Sequence, residues 1–219
     1  KEIKELLKGS FDNAPVIPVS AQQDINLDEI YKAIAELPVP SRNKSGEPIF
    51  LIARSFDINK PGTNPEKLHG AVLGGTLKQG TLKIGDEIEI KPGRVIKEAN
   101  QYFYRTLKTK VVKLFNGTKE VAQLSPGGSM SVETELDMTL GKADALAGCV
   151  SGFVGKLPEI ASAIKINHSL FPEVFGVSGH VKAEDVKASE MLMLSINTSM
   201  TIGVVKRIRK NELELNLKV

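Results

Sequence analysis

Tryptophan is absent from the 219 residues, and the chain has one cysteine, three histidines and only 5% aromatic residues. A lone Cys149 excludes a disulfide framework and a thiolate cluster for zinc, and it fits a reducing compartment and a small buried hydrophobe. His69, His168 and His180 are too scattered for a ligand motif of the H-x-x-x-H kind, so no metal site is expected. No apolar run approaches the roughly 18 residues of a membrane span, and no signal peptide is visible. The expectation is a soluble, intracellular protein with no membrane contact. Charge of one sign is scarce too: 29 Lys+Arg against 26 Asp+Glu leave +3, which permits nucleic acid as a partner without arguing for it.

Glycine and proline are plentiful, 19 and 11, and they separate short aliphatic runs. That is the pattern of a mainly β chain with an aliphatic core, and the length allows one to two domains. The stretch from Leu68 to Gly93 shows it most clearly, reading as two strands and a tight turn. Leu82 and Ile84, then Ile88 and Ile90, alternate as in half-buried strands, punctuated by Gly80, Gly85 and Pro92-Gly93. Gly74-Gly75 inside a strand pattern predicts a bulge or the close approach of another backbone, as where a sheet curls into a small barrel.

Further strands are expected over 49–58, 108–115, 128–135, 163–168, 191–196 and 212–219, with a loop over 183–189. Upstream, the pattern predicts a helix over 1–8, a buried strand over 15–20, and a helix opened by a capping box of Asn26 and Glu29 with Leu27, Ile30, Ile34 and Leu37 as its buried stripe. Residues 41–48 have the composition of a linker. The segment from Arg94 to Glu120 holds seven basic residues against Glu98 and Glu120, beside Tyr102, Phe103 and Tyr104. It is either a grip on nucleic acid or a solvated hairpin with one or two aromatics in the core.

The order of the residues carries a resemblance. Gly70, Leu77, Gly80 and the run Lys83-Ile84-Gly85-Asp86-Glu87-Ile88 resemble the first β-barrel after the nucleotide-binding domain in translational GTPases, with its K-x-G-D-E motif. Arg54 to Thr63, RSFDINKPGT, is similar to the RSFD[IV]NKPG run of the gamma subunits of eukaryotic and archaeal translation initiation factor 2. Pro126-Gly127-Gly128, and Lys142-Ala143-Asp144 with Gly148, resemble that family's barrel-closing segments; Met138 and Gly141 depart from its pattern.

The resemblance implies a mainly β fold of two consecutive translation-factor β-barrels, preceded by the terminal strand and helix of an α/β GTPase domain. The expected divisions are 1–40 for the end of the GTP-binding domain, 41–157 for the first barrel, and 158–219 for an incomplete second barrel. Most of the GTPase domain is expected upstream, and the family's Trp-containing ending is not matched. The parent protein is implied to be a cytoplasmic GTPase that binds GTP or GDP with Mg. It would deliver initiator methionyl-tRNA to the small ribosomal subunit, together with alpha and beta subunits.

Within this chain the resemblance makes Ser20, Ala21 and Gln22 the guanine-contacting loop, although Ser-Ala is a common dipeptide. No G-x-x-x-x-G-K-[ST] phosphate loop occurs, and Asn43-Lys44-Ser45-Gly46 has glycine where N-K-x-D needs aspartate. No catalytic residue and no bound cofactor are therefore expected in this chain alone. Arg54, Lys60, Gly62, Gly127 and Gly128 are the candidates for tRNA contact, the cations for phosphates and the glycines for close backbone approach. The alternative is that the glycines only shape turns and Arg54 only pairs with an acid of the barrel. Two other functions fit the same architecture: an elongation-factor-type tRNA carrier, and a non-enzymatic barrel that scaffolds a complex.

Overall fold

The computed structural model describes residues 3, 13–99, 101–172, 174 and 181–218, with only the backbone at 101 and 102. It divides into two units, Lys1–Ser41 and Arg42–Val219.

In the first unit the helix expected over 1–8 lies outside the described residues except for Ile3. The run expected as a strand over 15–20 joins no ladder among the described residues; a single antiparallel bridge connects Ser20 to Ile25. Helix α1, Leu27–Ala35, forms as expected, but its capping box does not. Asn26 takes a left-handed backbone, φ 57°, which turns its amide away from the helix to donate to the Pro18 carbonyl at 2.8 Å. Nor is the apolar stripe buried: Leu27 and Ile30 are half-buried, while Ile34 and Leu37 are exposed, with no opposing face among the described residues.

The second unit is built on strands β1 (Ile49–Phe56), β2 (Val72–Gln79), β3 (Leu82–Lys83), β4 (Glu87–Glu98), β5 (Gln101–Asn116), β6 (Lys119–Val121), β7 (Gln123–Leu124), β8 (Met130–Thr134) and β9 (Val150–Phe153). All pair antiparallel. The order β4-β9-β1-β2-β8-β5 closes on itself because β5 also pairs with β4, giving a six-stranded barrel. Closure removes the open edges that would otherwise template aggregation. Inward residues from alternate positions, among them Phe50, Ile52, Leu73, Leu77, Ile88, Ile90, Leu114 and Val132, make the aliphatic core. Cys149 lies in that core, and burial pushes its thiol pKa up.

The glycine pair in β2 does what its position predicts. The β1–β2 register shifts between Ile52 and Arg54, opposite Gly75 and Gly74, and a Cβ on Gly75 would lie 1.9 Å from the Leu51 carbonyl oxygen. Alternation fails at Ile84. Leu82 is buried against β7, but Ile84 falls in a turn closed by Asp86, whose carboxylate accepts the Lys83 N–H at 2.7 Å, and it is 47% exposed. A side chain two residues on shares a face only while the strand continues.

Strands β10 (Ala163–Asn167), β11 (Met191–Ile196), β12 (Ser199–Arg209) and β13 (Glu212–Lys218) form a second sheet of order β10-β13-β12-β11. Residue 219, expected at the end of the last strand, lies outside the described residues. Among those residues this sheet is open, with β10 and β11 as edges, and its fully buried apolar residues are only Val205, Leu213 and Leu215. Sequence alternation missed β12 because Gly203 and the run Lys206-Arg207 interrupt it. Gly203 packs closely there: a Cβ would come 2.8 Å from Leu194 Cδ1, and that side chain would have to turn aside.

Fewer buried contacts and two open edges mean lower local stability. Amides of β10 and β11 are expected to exchange with deuterium faster than those of β1, β2 and β8; equal protection in a monomer would show that the edges are covered.

Candidate RNA-contacting face of the first barrel

The loop after β1 carries the motif Asp57 to Thr63, and its shape follows from local chemistry. Lys60-Pro61-Gly62-Thr63 is a turn with proline at its second position and glycine at its third. The Thr63 N–H and hydroxyl both donate to the Lys60 carbonyl, at 3.1 and 2.7 Å, and Gly62 has φ 84°. Those are the requirements of a type II turn. Asn59 then ties the loop to the barrel: its side-chain oxygen accepts the His69 N–H, and its Nδ2 donates to the His69 carbonyl and to the Met138 sulfur. Asp57 accepts from the Asn59 backbone and side chain at 2.9 and 2.8 Å, which holds its carboxyl below the ordinary range. Lys60 is exposed, and its ammonium has no partner among the described residues.

Arg54 stands differently. Its Nε donates to both oxygens of Asp144, at 2.8 and 3.0 Å, and its guanidinium lies 5.9 Å over the Phe56 ring. Asp144 also accepts the Ser55 N–H at 3.0 Å, and the Ser55 hydroxyl accepts the Leu146 N–H. The Arg54 hydrogen bond lowers the Asp144 pKa and its own is raised. This acid pairing is one of the two roles the sequence allowed for Arg54. Ala143 and Asp144 both have positive φ, 55° and 58°, with no glycine to announce it. The short helix α2, Met138–Gly141, leads into this turn. Gly141 packs so close that a Cβ would sit 2.7 Å from the Ala71 Cβ, which accounts for the glycine at that departure from the family pattern.

Two open grooves of about 600 Å³ each share Phe56. The first is lined by Arg54, Gly75, Thr76, Gly128 and Met130; the second by Asp57, Lys60, Gly62, Met138 and Ala143. The structure thus brings Arg54 beside Gly128, and Lys60 beside Gly62. Gly127 lines neither; it has φ 131° and faces Arg42, whose side chain would be 3.8 Å from an added Cβ. Gly128, at φ 83°, is held by the Thr76 hydroxyl donating to its carbonyl at 3.2 Å. Phe56, Asn59 and Asp144 belong to this face; in the sequence they stand as parts of family motifs and not as site residues, and the regular N-K-P-G turn signal is the clue beside them.

Ser20, Ala21 and Gln22 lie in the other unit, where Ala21–Gln23 form a 3₁₀ turn after the Ser20 bridge. The Ser20 carbonyl accepts from Gln23 and Ile25. Ala21 and Gln22 head that turn, where the first N–H groups of a helical turn have no partner within it. Among the described residues no cluster of His, Cys, Asp or Glu could hold a metal ion, and no helix is long and apolar enough to cross a membrane.

Comparison with known proteins agrees with these motifs. Residues 162–219 match the family described as initiation factor eIF2 gamma, C terminal. Over its whole length the chain is 42% identical to the translation initiation factor 2 subunit gamma of Pyrococcus furiosus and 43% identical to that of Methanocaldococcus jannaschii, spanning 54% of each. Among solved structures, the bacterial selenocysteine-specific elongation factor EF-Sec superposes with a TM-score of 0.73 at 18% identity, over the whole chain and 31% of that protein. Elongation factor SelB from Methanococcus maripaludis, in complex with the GTP analogue GPPNHP, gives 0.67 at 15%, over the whole chain and 47% of that protein. At such identities these two show the shared fold alone. The chain is thus similar over its whole length to translation initiation factor 2 gamma subunits, and it spans about half the length of the curated relatives it matches.

Proposed function

We propose that this chain is the tRNA-carrying part of an initiation factor that delivers initiator methionyl-tRNA to the small ribosomal subunit in a GTP-dependent manner. Residues 1–40 would end the GTP-binding domain, 41–157 form the first barrel and 158–219 the second. The observation that carries the reading is the pair of grooves sharing Phe56, which gathers Lys60, Gly62 and Gly128 from two family motifs on the barrel of a chain that is, over its whole length, 42% identical to an initiation factor 2 gamma subunit. Lys60 supplies a cation for a phosphate, Gly62 and Gly128 allow backbone approach, and Arg54 frames the groove through Asp144. Ser20, Ala21 and Gln22 would contribute the guanine edge, with GTP or GDP and Mg held by the rest of the parent protein. The parent would work in the cytoplasm with alpha and beta subunits.

The test is selectivity. The parent factor loaded with GTP is expected to bind methionyl initiator tRNA more tightly than a charged elongator tRNA under one salt condition. Equal affinity would favour an elongation-factor-type carrier, and no affinity for either would favour a scaffold.

A further inference from the structure

Strands β4 and β5 run on past the barrel. Pairing of β4 with β9 ends at Lys91, and β5 meets β8 only from Val111, so Arg94–Glu98 and Gln101–Arg105 form a two-stranded ribbon of their own. A bulge between Ile90 and Arg94 aims it. Gly93 is essential to that bulge, with φ 86° and no room for a Cβ, which would lie 2.2 Å from the Arg105 carbonyl oxygen.

The register places Arg94 directly opposite Arg105, and Ile96 opposite Phe103. By strand alternation these four share one face. Directly opposed cations in a ribbon repel one another. Both arginines are exposed, and neither guanidinium has a partner among the described residues. Phe103, adjacent on that face, is 48% exposed and outside the barrel core. Of the three aromatics in the basic segment, Phe103 is exposed and Tyr104 half-buried, while the Tyr102 side chain lies outside the described residues. What would satisfy this face is an anion that bridges two guanidiniums and carries a flat apolar group.

We propose that this ribbon is a second RNA-binding element, separate from the grooves at Phe56, in which Arg94 and Arg105 hold the phosphates of a single strand and an unstacked base lies on Phe103. Arginine suits it because its fork contacts phosphate bidentately.

The probe is a fluorescein-labelled single-stranded RNA about ten nucleotides long, within the range a small β-domain covers, titrated into the 219-residue chain by anisotropy over a salt series. Arg94→Gln and Arg105→Gln should each lower the slope of log affinity against log salt by about 0.7. Phe103→Leu should weaken binding roughly 5- to 150-fold with the slope unchanged. Lys119→Ala, at the other end of β5, should leave both unchanged. Removing one of two opposed charges relieves repulsion, so Arg94→Gln should melt no lower than the parent. The proposal is overturned if the chain does not bind the RNA at low salt, if the three ribbon variants bind it like the parent, or if poly-glutamate rather than RNA shows the dependence on Arg94 and Arg105. Lys60→Ala separates this element from the proposed tRNA site, because the ribbon's dependence on Arg94, Arg105 and Phe103 should persist in that background.

Discussion

Gly75→Ala is expected to destabilise the barrel by about 3 kcal/mol or more, lowering Tm by roughly 6–12 °C for a chain of this size. The added Cβ would sit 1.9 Å from the Leu51 carbonyl oxygen and 3.3 Å from the Ala53 nitrogen. Both are backbone atoms of β1 in the closed sheet, so the obstacle cannot rotate away as a side chain would. Relief requires β1 to move from β2, at the register shift where the barrel already bends. Gly62→Ala is the contrast. Nothing lies within 4 Å of its Cβ, and only the positive φ is penalised, at about 1–2 kcal/mol. Thermal melts of the two variants should rank accordingly; equal melting temperatures would mean that β1 and β2 are not so close at Gly75.

Gly128→Val is expected to weaken binding of methionyl initiator tRNA to the parent factor by about 1–3 kcal/mol. Two effects act together. A β-branched residue at φ 83° strains the Pro126-Gly127-Gly128 turn, and its Cβ would stand 3.3 Å from Asn116 Oδ1, tight enough that one of them must shift. The displaced turn forms part of the wall of the groove lined by Arg54 and Thr76. No charge changes, so the salt dependence of binding should be that of the parent. Tm must be measured alongside, and affinity compared well below the unfolding range; unchanged affinity in a folded variant would remove Gly128 from the site.

The barrel was legible in sequence because its signals are local. Gly80, Gly85 and Gly93 stand at positive φ where the runs break, and Ile88 and Ile90 keep alternation through β4. The N-K-P-G turn could likewise be read, since proline and glycine fix its dihedrals by themselves. The Arg54–Asp144 pair spans ninety residues of chain, and no spacing rule joins such partners. Asp144 and Ala143 reach positive φ without glycine because β1 holds them there through Ser55, a tertiary constraint. The helix stripe at Leu27, Ile30 and Ile34 shows the opposite failure: the pattern gives the helix, but burial needs a second surface. Likewise Asn26 and Glu29 satisfy the capping pattern, yet the Pro18 carbonyl takes the asparagine amide.

The most direct measurement of the proposed tRNA site is the salt dependence of methionyl initiator tRNA binding to the parent factor with and without Lys60. The ammonium is exposed at a rigid type II turn and has no partner among the described residues, so a phosphate contact is what it can supply. Lys60→Ala is expected to lower the slope of log affinity against log salt by about 0.7 to 0.9, with a similar loss for any tRNA and no change in Tm. An unchanged slope and affinity in a folded variant would contradict the placement of tRNA on this face.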